Sequence, residues 1–211
     1  GECLEVMPEG KGARIHNFYI LSIDLRDRKA FEDLLFISTV PAAEGGESHT
    51  ILDPQAATLV LSEIVLVYMP PEASDAIIAC LSSRLAHRAA FVLYEQISPN
   101  DPFGNMMVSN IAKRGSPLLG IEKYPTLDSQ VERFKNLGWD SAAAKTMLEI
   151  YNRYIPGVER TIAERAEFLD ELEEWKLLMS HYGFVWATLE KSPDTSASPD
   201  AAGVFPFHPL D

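Results

Sequence analysis

Residues 58–71, TLVLSEIVLVYMPP, constrain this chain more than any other stretch. Leu59, Val60 and Leu61 form an unbroken apolar run, not an alternating one. Such runs suit strands of a parallel sheet covered on both faces, so residues 58–62 are expected to form a central, buried strand. Glu63 interrupts the run, apolar chain resumes from Ile64 to Tyr68, and Pro70-Pro71 stops it. An ionised carboxylate in so apolar a context needs a partner, because burying it alone is costly. Open α/β sheets bind ligands just past the carboxyl ends of their strands. Glu63 therefore stands where a ligand-contacting acid belongs; the alternative is an acid that caps a loop or pairs with an arginine.

The rest of the chain arranges itself around that strand. Residues 1–14 read as a polar, glycine-rich lead-in. Residues 18–23, FYILSI, form the first strand and end at Asp24-Leu25-Arg26-Asp27. A helix over 28–36 places Phe31, Leu34 and Leu35 on one face, and 41–50 is a loop by composition. Pro71 opens the next helix, where its missing N–H costs little; Ile77, Ile78, Leu81 and Leu85 give it an apolar stripe to about residue 86. Residues 89–94, AAFVLY, are a second buried strand with Glu95 at its end. Asp101 and Pro102 start a helix that Gly115 closes, with Phe103, Met106, Met107 and Ile111 as its inner face. A helix over 126–137 turns Leu127, Val131, Phe134 and Leu137 inward and stops at Gly138. A short strand over 141–145 and a helix over 147–154 follow. The longest helix is expected over 162–181, with Phe168, Leu169, Leu172, Trp175, Leu178 and Met179 inward and Glu171, Glu173 and Glu174 on its solvated side. Residues 182–189, YGFVWATL, form the closing strand, and a disordered tail follows from Ser192. Strands alternating with helices describe an α/β doubly wound sheet.

With 211 residues the chain can form one large domain, and 46% hydrophobic and 23% charged residues are ordinary for a globular protein. A net charge of −13 opposes a nucleic-acid or anionic-membrane partner, since either needs a basic surface. No apolar stretch approaches the ~18 residues of a membrane-spanning helix. The amino terminus lacks the basic and apolar regions of a signal peptide. Cys3 and Cys80 lie far apart without metal spacing, so they read as free thiols in a reducing, cytoplasmic setting, Cys80 on a buried helix face. His16, His49, His87, His181 and His208 show no ligand spacing, so neither a metal site nor a serine–histidine triad is supported. Three acids fall at strand ends: Asp24, Glu63 and Glu95. Carboxylates there can accept from ribose hydroxyls, an adenine amino group or a ligand ammonium, and Leu25 could pack on a flat base. No GxGxG-type turn follows a strand, so no nucleotide cradle is visible.

LSEIVLVYMPPEAS (61–74) resembles the leucine carboxyl methyltransferases. Co-linear matches continue in SIDLRD (22–27), YEQISPNDPFGNMMVSNI (94–111), SQVERFKNLGW (129–139), MLEIYNRYIP (147–156), EFLDELEEWKLLMSHY (167–182) and VWATL (185–189), together spanning about residues 18–191. The resemblance implies a class I, Rossmann-like methyltransferase sheet with helical cover elements and S-adenosyl-L-methionine as cofactor. It implies methyl esterification of the C-terminal leucine carboxylate of the protein phosphatase 2A catalytic subunit, whose tail is then the partner. By the same resemblance, Asp24 and Leu25 match the pair at the adenine end of the donor and Glu63 the acid near its methionine end. Tyr68 matches a wall of the substrate pocket, or is a core tyrosine.

Family members also carry a glycine-rich donor loop, a ribose-binding acid and an arginine that have no counterpart here. Their strand order is 3-2-1-4-5-7-6, so residues 18–23 and 58–62 would stand three positions apart, about 14 Å at ordinary strand spacing. Residues 1–191 are thus expected to be the C-terminal part of a methyltransferase domain lacking its first two strands, with 192–211 a tail. The missing N-terminal half is expected as a second chain, unless 18–23 and 58–62 pair directly. The rival expectations are a non-catalytic phosphatase-binding fragment and a methyltransferase for another small carboxylate.

Overall fold

In the computed structural model, the residues described are 5–6, 12–15, 18–40, 48–166 and 170–191. The expected tail, Phe168 and Leu169 lie outside them. At the amino end, β1 (Glu5–Val6), β2 (Gly12–Ile15) and β3 (Phe18–Leu21) form an antiparallel three-stranded sheet, with Ala13 opposite Ile20 and Arg14 opposite Tyr19. Two short strands thus occupy what was read as a lead-in without structure. The alternation that marks such strands is invisible in runs of two and four residues. Next comes α1 (Arg28–Phe36), capped by the Asp27 carboxylate, which accepts from the Ala30 N–H at 3.0 Å. Then β4 (Thr39–Val40) pairs with β5 (His49–Thr50) at the two ends of the expected loop.

The main sheet follows. It is built from β6 (Thr58–Glu63), α2 (Pro71–Arg84), β7 (Arg88–Gln96), α3 (Pro102–Lys113), α4 (Leu127–Asn136), β8 (Ser141–Thr146), α5 (Met147–Arg153), α6 (Gly157–Ala166), α7 (Leu172–Ser180) and β9 (Tyr182–Glu190). The strand order is β6-β7-β9-β8. β6 and β7 run parallel, and β9 runs antiparallel to both β7 and β8. The reversal has a local cause. α5, α6 and α7 follow the carboxyl end of β8, and β9 starts at that same end, with Gly183 opposite Thr146. A chain that does not cross back can only return antiparallel. This is the 4-5-7-6 portion of the class I Rossmann-like methyltransferase sheet, the fold class expected from the sequence.

Cap chemistry sets the helix limits. Pro71 is the first residue of α2. Asp101 caps α3 through the Gly104 N–H at 2.7 Å. Thr126 and Ser129 form a reciprocal capping box on α4. Gly138 ends α4 at φ +90°, a conformation that a residue with a Cβ enters only with strain.

One face of the sheet is packed. Phe91, Leu93, Val185, Ala187 and Leu189 project from β7 and β9 against Ile77, Ile78, Leu81 and Leu85 of the α2 segment and Phe134 of α4. Phe91, Phe134 and Trp139 meet edge to face, with ring centroids 5.0, 5.7 and 6.0 Å apart. The indole N–H of Trp139 donates to the Ile78 carbonyl. Cys80 is buried here, as expected.

Three expectations are corrected. β6 is an edge strand among the described residues: Leu59 is 48% and Leu61 70% exposed, on the face opposite the packed core. The continuous apolar run described a strand covered on both sides, and here only one side is covered. The long helix over 162–181 is two helices, α6 and α7. Glu171, Glu173 and Glu174 are exposed, as expected of a solvated flank, and Glu173 and Glu174 lie in the first turn of α7, where acids complement the helix dipole. Met106 is exposed and Met107 is buried, so the inner face of α3 is narrower than the apolar pattern suggested.

Truncating the centre of the aromatic trio should be costly. Phe134→Ala is expected to lower unfolding free energy by about 3–5 kcal/mol, read by urea denaturation.

Candidate functional site

β6 ends at Glu63, and the next residue breaks the strand sharply. Ile64 has φ +50°, a left-handed conformation that is an outlier for a β-branched residue and costs roughly 1–2 kcal/mol. Its N–H still donates to the Tyr94 carbonyl at 2.8 Å. The chain then makes a single 3-10 turn over Leu66–Tyr68 before α2. Two contacts fix that turn. The Val67 N–H donates to Glu95 Oε1 at 2.6 Å, and the Val67 carbonyl accepts from the Gly120 N–H at 2.8 Å.

Glu95 is only 2% exposed. Burial pushes its carboxyl up to about 7, against the pull of the Arg133 charge and of hydrogen bonds from the Val67 and Leu66 N–H groups and the Gln130 side chain. Behind it lies a buried polar network. Arg133 donates to Asp75 at 2.8 Å, to the Ser74 hydroxyl at 2.6 Å and to the Gln130 oxygen at 3.3 Å, and lies 4.3 Å from the Tyr124 ring centre. Tyr124 donates to the other Asp75 oxygen at 2.7 Å. Glu95 therefore serves the turn and the network, which corrects its reading as a ligand-contacting acid.

Glu63 is different. Its side chain is exposed and forms no hydrogen bond or ion pair with any described residue. In register it heads a row across the sheet: Glu63 opposite Tyr94, Tyr94 opposite Phe184, Phe184 opposite Lys145. Tyr94 stacks on Phe184 at 4.9 Å and on Tyr182 at 5.3 Å. Burial raises the Tyr94 phenol, with Tyr182 and Glu63 adding to the shift.

Asp24 and Leu25 follow β3. The Asp24 carboxylate is gripped by Arg26, whose Nε and Nη2 lie 2.9 and 2.7 Å from its two oxygens. That guanidinium holds Asp24 down at about 2. Leu25 packs half-buried on the edge of the main core. A cavity of about 260 Å³ opens beside them, lined by Ser22, Ile23, Ala30, Asp33, Leu34 and Ser38. β3 and β6 are not paired, and belong to different sheets; α1 packing on α2 ties the two regions. Tyr68 is half-buried against Val67, Met107, Leu118 and Ile121.

One polar pair has no signal in the sequence. His181, 2% exposed, places Nε2 at 2.9 and 3.0 Å from the Asp101 oxygens and Nδ1 at 2.7 Å from the Leu177 carbonyl. Asp101 is held below its ordinary range, first by the Gly104 N–H and then by His181. The pair latches the start of α3 to the end of α7. It is a satisfied histidine, as the lack of ligand spacing implied. Among the described residues no cluster of three or more His, Cys, Asp or Glu could hold a metal, and no helix is long and apolar enough to cross a membrane.

Comparison with known proteins gives two sets of relatives. The chain is 36% identical over 202 residues to tRNA wybutosine-synthesizing protein 4 of Homo sapiens, covering 90% of this chain and 28% of that protein. It is 35% identical over 171 residues to a leucine carboxyl methyltransferase 1 homolog of Arabidopsis thaliana, covering 81% and 48%. To leucine carboxyl methyltransferase 1 of Bos taurus it is 37% identical, covering 81% and 47%. The chain thus spans less than half the length of these relatives. It is related to both groups, where the sequence motifs pointed to one. No protein-family model matches. Among solved structures, Haemonchus contortus phosphoethanolamine N-methyltransferase 2 overlaps 64% of this chain and 33% of its own at TM-score 0.38 and 10% identity, too loose a likeness to bear on function.

Glu95 also gives the fold a pH dependence. The folded protein holds the Glu95 proton more tightly than the unfolded chain does. Its stabilising contribution is therefore full below the ordinary value of 4.5 and is lost as pH rises through about 7. Between pH 4.5 and 8 this group should remove about 3 kcal/mol of stability. Glu95→Gln should flatten that slope in urea unfolding measured across the range.

Proposed function

We propose that this chain, a relative of the leucine carboxyl methyltransferases and of tRNA wybutosine-synthesizing protein 4, is the carboxyl-terminal part of an S-adenosyl-L-methionine-dependent methyltransferase that esterifies a carboxylate. The substrate favoured by the motif resemblance is the C-terminal leucine of the protein phosphatase 2A catalytic subunit. The observation that carries the reading is Glu63: an exposed carboxylate with no hydrogen bond or ion pair to a described residue, at the carboxyl end of a parallel strand, held next to a strained bend.

The residues fit such a donor. Glu63 is free to meet the cationic methionine end. Asp24 and Leu25 stand at the end of β3 for the adenine end, with the exposed Asp24 exchanging Arg26 for a ligand group. Tyr68, beside the same turn, would form a wall of the substrate pocket. When bound, the donor supplies a methyl group on a sulfonium. The acceptor carboxylate is already ionised at neutral pH, so the chain needs no general base. Its side chains have to align the two reactants and keep water from the acceptor oxygen. That agrees with a site region whose histidine, His181, is committed to Asp101.

The bare edge of β6 and its exposed Leu59 and Leu61 support a further part of this proposal: two strands from another segment cover that edge. Direct pairing of β3 with β6 would have removed the need for them, and that pairing is absent. Adding the amino-terminal half of a leucine carboxyl methyltransferase relative should slow amide exchange along β6.

A second reading follows from the similarity to tRNA wybutosine-synthesizing protein 4 across 90% of the chain: a tRNA acceptor. The net charge of −13 weighs against it, since tRNA phosphates call for a basic surface. Transfer of labelled methyl from S-adenosyl-L-methionine by the completed enzyme decides, with a peptide ending in leucine and bulk tRNA as competing acceptors. Labelled peptide supports the carboxylate reading and labelled tRNA the other. S-adenosylhomocysteine binding without transfer to either would point to another small carboxylate, and no binding at all to a non-catalytic phosphatase-binding fragment.

Glu63→Ala should weaken S-adenosylhomocysteine binding about tenfold or more while leaving the melting temperature within a few degrees. Calorimetric titration beside a thermal melt makes the comparison, and unchanged affinity would remove Glu63 from the site.

A further inference from the structure

We propose that Glu95 is a positioning residue for Glu63: from inside the core it clamps the turn after β6, and so holds Ile64 in the left-handed bend that aims Glu63 outward. The proposal rests on the reading of Glu63 as a donor-binding acid.

The geometry is specific. Glu95 lies on the packed face of β7, and Glu63 lies on the opposite face of β6, in register with Tyr94. The chain must therefore pass from one face to the other within a few residues to reach α2. Ile64 makes that passage at φ +50°, which a β-branched side chain opposes. Left alone, such a residue relaxes towards extended backbone, and Glu63 would rotate with it. Two tethers prevent this. The Ile64 N–H is bound to the Tyr94 carbonyl, and the Val67 N–H is bound to Glu95 Oε1 at 2.6 Å. The first belongs to any continued ladder. The second needs a side chain that reaches from the core to a backbone donor three residues past the bend.

The placement of Glu95 is itself over-determined. Gln130 bridges it to Arg133, accepting from the guanidinium with its oxygen while its side chain also hydrogen-bonds the carboxylate. Arg133 is anchored by Asp75 and Ser74 of α2, and Asp75 by Tyr124 and Lys123. These are the charged and titratable groups around the carboxylate from α2, α4 and the segment between α3 and α4. A buried acid braced by this many partners, whose carboxylate accepts from the backbone of the turn beside Glu63, suits a device that holds shape better than a ligand contact.

The test separates clamp from donor. In the full chain, the amide resonances of Glu63 and Val67 are followed by NMR, and S-adenosylhomocysteine affinity by calorimetry after addition of the amino-terminal half of a leucine carboxyl methyltransferase relative, in wild type, Glu95→Gln, Glu95→Ala, and Glu95→Ala combined with Ile64→Gly. Glu95→Gln keeps an acceptor at the same place and is expected to stay within about threefold of wild type in affinity. Glu95→Ala should move the Glu63 resonance, speed Val67 amide exchange and weaken binding about tenfold or more. Ile64→Gly, which makes the left-handed bend free of side-chain strain, should restore the Glu63 resonance and most of the affinity in the double variant. A purely structural role for Glu95 would not be rescued this way. An unmoved Glu63 resonance in Glu95→Ala, or no rescue by Ile64→Gly, overturns the proposal. If Glu95→Ala does not fold, a pH titration of wild type serves instead. The Val67 and Glu63 resonances should shift together near neutral pH and stay flat in Glu95→Gln, and independent movement overturns the clamp. If the wild-type chain completed with that half binds no S-adenosylhomocysteine, the donor reading falls and the resonances alone decide the clamp.

Discussion

Everything in the main sheet hangs on β7. It is hydrogen-bonded along six residues to β6 on one side and along nine to β9 on the other. Its inward side chains, Ala89, Phe91, Leu93 and Glu95, run from the floor of the core to the carboxyl end of the strand. The first three bury apolar area against α2 and α4. The fourth carries the same line of contacts into the loop that presents Glu63. A strand in this position transmits order from packing to site, because close-packed interiors deform little.

The sheet is asymmetric. One face is closed by α2 and α4; the other bears Leu59, Leu61, Tyr94, Phe184 and Trp186, exposed or half-buried. An apolar sheet face and an unpaired strand edge together form a template for more chain. The helices α5, α6 and α7 stay at the carboxyl end of β8, which forces β9 to run against its neighbours.

Charge is used in two ways in this acidic protein. At the surface, Asp24 pairs with Arg26, an exposed contact that solvent screens and a ligand can displace. In the interior, Arg133, Asp75, Tyr124, Gln130 and Glu95 are linked by hydrogen bonds, and removing Asp75 would leave the buried Arg133 charge without its carboxylate. Exchangeable pairs suit binding, and interlocked ones suit scaffolding. The two strand-end acids Glu63 and Glu95 look alike in sequence and fall on opposite sides of this division.

Local chemistry made the helix limits legible: Asp27, Pro71, Asp101, Thr126 and Gly138 each act on groups within a few residues, so their effect can be read in order along the chain. β7 was legible for a similar reason, since its unbroken apolar run is one that burial favours. The sequence alone also placed Glu63 at the carboxyl end of a strand. Only the tertiary structure decided that β6 stands at an edge, that Glu95 turns inward to Val67, and that His181 meets Asp101 across 80 positions. These outcomes depend on which elements become neighbours. A residue's own type and spacing carry no record of the partner that folding brings to it.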